Sequence, residues 1–142
     1  MEKRLEKAFK DGAMFITLTY TGEPPSEKVA KKELHKFLLR VTHWRRKNGL
    51  PALKYVAVTE SKKAKVHHHL LMNPMDISQA KMTALWGLGR AKVDKRIQNG
   101  EYPDILKYLN KENGEEQRSR WLVSKNIKDH LLPFEVQGGA RS

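Results

Sequence analysis

Two rhythms of apolar and polar residues alternate along the chain. Residues 13–20, Ala13-Met14-Phe15-Ile16-Thr17-Leu18-Thr19-Tyr20, are rich in β-formers and stop at Thr21-Gly22-Glu23-Pro24-Pro25, which predicts a first strand. A helix is predicted next: Ser26 is placed to cap it, Leu34, Phe37, Leu38 and Val41 recur at helical spacing, and Asn48-Gly49 stops it before Pro51. Residues 53–60 and 66–72 read as two strands, and the short polar link 61–65 folds them into a neighbouring antiparallel pair. Asn73-Pro74 ends the second of these. Asp76 and Gln79 resemble a capping box opening a helix that ends near Trp86-Gly87. Residues 90–97 alternate in places and are read as a strand. Asn99-Gly100 marks a turn, and Pro103 opens a helix through about Glu112, with Ile105, Leu106 and Leu109 facing the core and Asp104, Tyr108 and Lys111 on another face. A loop at 113–117, a strand at 120–124 and a frayed tail after Phe134 complete the reading. No repeat or linker interrupts it, so the 142 residues are expected to form one domain, its core at about 13–134.

Within this pattern, Lys65-Val66-His67-His68-His69-Leu70-Leu71-Met72 places three histidines in an apolar run. Alternate residues of a strand share a face, so His67 and His69 point one way and His68 the other. Glu60, at the end of the preceding strand, can meet both imidazoles. The alternative, that the histidines only fill a strand or belong to a tag, is weakened by their mid-chain place between strand formers and by the paired face with a carboxylate upstream. Two His and one carboxylate leave coordination positions open, which suits a divalent metal engaged in chemistry better than a closed structural zinc site. Imidazole ligands favour Mn2+ at least as much as Mg2+.

Composition narrows the partner. The chain has 28 Lys and Arg against 16 Asp and Glu, a formal net charge of +12. A polyanion is the expected ligand, because neutralised phosphates release counterions, and nucleic acid is the simplest one. The competing reading keeps Lys31-Lys32 and Arg45-Arg46-Lys47 as solvated helix faces. The absence of cysteine removes disulfides and thiolate catalysis and fits a reducing compartment. With no apolar run of membrane length and no signal-like start, a soluble intracellular protein is expected.

The residues Phe15-Ile16-Thr17-Leu18-Thr19-Tyr20, the strand ending in Glu60, the His67-His68-His69 strand and Tyr108-Leu109-Asn110-Lys111 occur in an order that resembles the HUH endonucleases, above all the rolling-circle replication initiators (Rep proteins) of phages, plasmids and small single-stranded DNA viruses. The likeness covers roughly residues 13–126. It departs at His68, where the family usually carries a bulky apolar residue, so that His68→Leu is expected to be tolerated. The resemblance implies an α+β fold of about five antiparallel strands with flanking helices, and a divalent metal, Mn2+ or Mg2+, held by Glu60, His67 and His69. It also implies Tyr108 as nucleophile on single-stranded DNA, giving a 5′-phosphotyrosine link and a free 3′-hydroxyl. The recognised origin would lie beside or within a hairpin. A host helicase and polymerase, a monomer or weak oligomer, and a bacterial cytoplasm or a host nucleus complete the expectation.

The chemistry agrees with the residues taken alone. A phenol of pKa about 10 needs a nearby cation or base to attack at neutral pH, and Lys111 lies one turn from Tyr108. Taken singly, Tyr108 is an ordinary helix-surface aromatic; Tyr102, the competing nucleophile, precedes Pro103 and lacks the lysine. Tyr20 and Tyr55 read as packing residues, and Trp44, Trp86 and Trp121 as core anchors before base-stacking platforms. His35, His43 and His130 lack ligand-like partners. Gly87-Leu88-Gly89 is too short for a phosphate loop, and no Gly-x-x-x-x-Gly-Lys-Ser/Thr sequence occurs, so an ATP-driven helicase is not expected. The alternatives are a transposase or relaxase with the same chemistry, and a non-catalytic basic nucleic-acid-binding module.

Overall fold

The computed structural model describes residue 9 and residues 12–61, 65–94 and 121–126. Five strands and two helices follow one another as β1 (Met14–Leu18), α1 (Glu27–Lys47), β2 (Tyr55–Glu60), β3 (His67–Met72), α2 (Gln79–Trp86), β4 (Ala91–Asp94) and β5 (Trp121–Val123). The sheet order is β4-β1-β3-β2-β5, and every neighbouring pair is antiparallel. The first six elements form the βαββαβ arrangement of the ferredoxin-like motif, and β5 extends the sheet beyond β2. The fold is α+β, as expected.

Period-two alternation separates the two faces of the sheet. Met14, Ile16 and Leu18 of β1, Ala57 of β2, Leu70 and Met72 of β3 and Ala91 of β4 share one core with Leu34, Phe37, Leu38 and Val41 of α1 and Met82 and Trp86 of α2. Both described helices therefore cover the same face. Phe15, Thr17, Val58, Glu60, His67, His69 and Leu71 point to the other face, because each lies one residue out of step with those core positions. Central β3 is flanked by β1 and β2, so His68 and His69 are held in register from both sides and His67 from the β2 side.

Helix α1 forms where its pattern demands. The Ser26 hydroxyl accepts from the Val29 N–H at 3.3 Å, and Asn48 closes the other end by donating backbone and side-chain N–H groups to the last-turn carbonyls. One member of the basic run Arg45-Arg46-Lys47 departs from the solvated reading. Arg45 is fully buried, on the apolar side of the helix four residues after Val41, and donates from Nε to the Pro51 carbonyl at 2.8 Å and from Nη1 to the Asn73 and Pro74 carbonyls at 3.2 and 3.3 Å. It ties the end of α1 to the loops that start β2 and follow β3.

The predicted capping box at Asp76 and Gln79 is corrected. Ser78 caps α2, its hydroxyl accepting from Lys81 N–H at 3.0 Å, because a cap must lie three residues before the amide it satisfies. The Gln79 side chain instead accepts from Val93 N–H of β4 at 3.1 Å. Gly87 ends the helix in the left-handed conformation, φ 77°. The strand read at 90–97 is observed as Ala91–Asp94, and that at 120–124 as Trp121–Val123. Residues 95–97, the turn at Asn99-Gly100, the helix expected from Pro103 to about Glu112, the loop at 113–117, His130 and the tail after Phe134 lie outside the described residues.

Candidate metal centre

The site starts from strand register. In the β2–β3 ladder Glu60 is directly opposite His67, and Val58 opposite His69. The last residue of β2 is thus placed beside the first residue of β3 on the face away from the helices, with His69 two positions further along. A Glu60 carboxylate oxygen lies 2.9 Å from His67 Nε2 and 3.6 Å from His69 Nε2. One potential ligand atom from each of the three residues falls within 4.8 Å of the others. The two imidazoles meet edge to face, with centroids 4.8 Å apart.

The second nitrogen of each imidazole is oriented by the protein. His67 Nδ1–H donates to the Lys65 carbonyl at 2.8 Å, which turns Nε2 toward Glu60 and leaves it as the nitrogen that would meet a metal. His69 Nδ1 stands 3.4 Å from the Thr17 hydroxyl of β1, and its ring lies nearly parallel to Phe15. Exposure differs along the trio: the His69 side chain is 10% exposed, His67 19% and Glu60 30%. The trio is thus partly exposed, most at Glu60 and least at His69. Two imidazole nitrogens, a carboxylate and open positions are a donor set fitted to a divalent ion that also contacts substrate.

Residues 13–113 match the family of replication-associated proteins that takes in ORF2. The chain belongs to that family. No curated protein and no solved structure matches it. The matched span contains the trio and the four strands β1 to β4. Tyr108 and Lys111 fall within the same span but lie outside the described residues, as does Tyr102.

His68, the residue that departs from the pattern of the resembling initiators, points to the opposite face, as strand alternation requires. It does not behave as an apolar filler. Its Nε2 is 2.8 Å from the Tyr20 hydroxyl and its Nδ1 is 2.8 Å from the Thr59 hydroxyl. Burial, and then the neighbouring His67 and His69, push its pKa down to about 3, so the ring is neutral and offers one donor and one acceptor. Burial, and then the charge of Glu33, push the Tyr20 phenol above its ordinary value, which keeps its proton available for donation to Nε2. Nδ1–H then donates to Thr59, the residue before Glu60.

Sequence reasoning placed Tyr20 as a packing residue and missed this three-residue chain. Tyr20 does pack, edge-on to Trp86 and to His68. Trp86 is the fully buried core anchor expected of it, its indole N–H donating to the Thr19 carbonyl at 2.8 Å. Trp44 packs half-buried against the same core. His35 and His43 are exposed on α1, and among the described residues neither belongs to a metal-binding grouping. Among the described residues no helix is long and apolar enough to cross a membrane.

Proposed function

We propose that this replication-associated chain is a metal-dependent, single-tyrosine DNA nickase and strand transferase of the HUH type, initiating rolling-circle replication. The observation that carries this reading is the convergence of Glu60, His67 and His69 on the sheet face away from α1 and α2, inside a replication-associated family. On this reading the chain forms one such domain, residues 1–142.

Glu60, His67 and His69 would hold Mn2+ or Mg2+, whose chemistry there is to polarise the scissile phosphate. Lys65 and Thr17 fix the imidazole orientations, and Phe15 and the strand ladder keep the His69 side dry. The Tyr108 oxygen attacks phosphorus. A P–O bond to tyrosine forms, the P–O3′ bond breaks, and the leaving 3′-oxygen takes a proton to become the free 3′-hydroxyl. Lys111, three residues on, would lie one turn away on the helix expected from Pro103, where its ammonium would favour the phenolate and the charge that develops on the phosphate. Because the phosphotyrosine ester retains the bond energy, a 3′-hydroxyl attacking it rejoins the strand and releases Tyr108. The substrate is single-stranded DNA, cut at one short sequence displayed beside or within a hairpin.

A labelled single-stranded oligonucleotide pool incubated with the protein and Mn2+ tests the reading. A covalent adduct that survives denaturation is expected from the wild type and none from Tyr108→Phe, which removes one oxygen and leaves DNA affinity intact. Products with free 5′-phosphates and no protein attached at any time would overturn the reading. No cleavage of any oligonucleotide would leave a DNA-binding module.

A further inference from the structure

Half of the chain's charge excess sits on one helix. Helix α1 carries eight Lys or Arg against two Glu, a net +6 over 21 residues, where the whole chain of 142 has +12. Arg45 points inward, and Arg40 donates to the Leu85 and Trp86 carbonyls at 2.6 and 3.1 Å, closing the end of α2. Arg46 and Lys47 lie in the last turn, where the helix dipole favours cations. These placements have structural reasons.

Lys28, Lys32 and Lys36 have none. Spaced by four, they form a row on the side of α1 turned away from its buried Ala30, Leu34, Phe37 and Val41, and all three are exposed. Like charges at this spacing repel, and Lys28 sits in the first turn, at the positive end of the dipole. Glu27 accepts from the Ser61 hydroxyl at 3.1 Å and pairs with Lys31 at 3.7 Å, and neither Lys28 nor Lys32 has an acidic residue three or four positions away on the helix; Lys36 alone has one, Glu33. Helix electrostatics alone give no reason for lysine at 28 and 32.

The Glu27–Ser61 hydrogen bond also locates the row. Ser61 directly follows Glu60, so the first turn of α1 lies at the end of the sheet that carries the metal trio, and the row runs from that edge along the back of the molecule. We infer that Lys28, Lys32 and Lys36 bind the phosphodiester backbone of duplex DNA flanking the single-stranded site, guiding it from the metal edge along α1. The three cations advance about 6 Å per step along one rigid helix, a fixed register that suits a double helix, whose phosphates are themselves fixed. The direction of the path relies on the proposed catalytic role of the trio; the backbone contact does not.

The triple variant K28Q/K32Q/K36Q tests it, with binding measured in a chelator against a duplex bearing a single-stranded tail and against the tail alone. For the tailed duplex, the slope of log K against log salt should become shallower by roughly 2 to 3, and affinity at low salt should fall about tenfold or more. Affinity for the tail alone should hold, and the melting temperature should equal or exceed the wild type's, since repulsion has been relieved. An unchanged slope on the tailed duplex overturns the inference, and an equal loss on both probes overturns the duplex assignment. Chelated binding separates this result from the catalytic reading: a shallower slope in a protein that never nicks DNA sustains the contact and sinks the nickase.

Discussion

Glu60 and His67 face each other across the β2–β3 ladder, with carboxylate oxygen and Nε2 2.9 Å apart, and His69 joins them from two residues along the same strand. If this trio holds a metal, His67→Ala or His69→Ala should lower Mn2+ affinity by more than about 100-fold. Thr17→Val, which removes only the hydroxyl near His69 Nδ1, should lower it by roughly 10-fold. Titration calorimetry with Mn2+ on variants that retain the wild-type circular dichroism spectrum measures both. Equal affinities in wild type and His67→Ala would dismiss the trio as a metal centre.

His68 should be intolerant of an apolar residue. His68→Leu leaves the fully buried Thr59 hydroxyl without its partner, at a cost of about 1–3 kcal/mol, with a further loss at Tyr20. Adding Thr59→Val removes the stranded group, so the double variant should be less destabilised than the two single effects summed. Urea denaturation of the four proteins gives the coupling. Strict additivity would show that the Thr59 contact contributes nothing.

The depressed pKa of His68 sets a pH dependence. Its folded value is about 3 against an ordinary 6.5, so between these limits the unfolded chain binds a proton that the folded one refuses. Stability therefore has no His68 penalty above about pH 6.5 and falls as pH drops toward 3, at up to about 1.4 kcal/mol per pH unit. In chelator, the ring resonances of His68 should keep their neutral positions down to about pH 4. A midpoint near 6.5 would contradict the buried, hydrogen-bonded ring.

The legible parts of this molecule are those governed by local period. Alternation alone separated His67 and His69 from His68, and helical spacing with Ser26 and Asn48 bounded α1. The pairing of His68 with Tyr20 was not legible, because Tyr20 lies 48 residues away and alternation along one strand gives the face of a side chain but not its partner on another strand. Arg45 could have been found: it falls on the apolar stripe four residues after Val41 and seven after Leu38, so the helix must bury it. Asp76 misled because an acid before a Gln three residues on imitates a cap, while the helix starts two residues later, where Ser78 accepts from the Lys81 N–H. The nucleophile assignment rests on the Tyr108/Lys111 spacing, outside the described residues.

The connection between α2 and β4 holds Tyr20, and its tolerance to a single methyl group should depend sharply on position. Thr21 N–H donates to the Leu88 carbonyl and Thr19 N–H to the Arg90 carbonyl, both at 3.0 Å, which lays 87–90 flat against the chain leaving β1. A Cβ at Gly89 would run into the Thr19 carbonyl oxygen and stand 2.8 Å from the Thr21 nitrogen, so one backbone must move. Gly89→Ala should therefore cost about 1–3 kcal/mol or more and loosen the Tyr20–His68 contact. At Gly87 the nearest obstacle to a Cβ is 3.7 Å away, and only the left-handed φ of 77° opposes a side chain. Gly87→Ala should cost about 1–2 kcal/mol and leave His68 undisturbed. Thermal unfolding together with the His68 ring resonances distinguishes the two: a Gly89→Ala protein with the wild-type melting temperature and unshifted His68 signals would show that this strap does not position Tyr20.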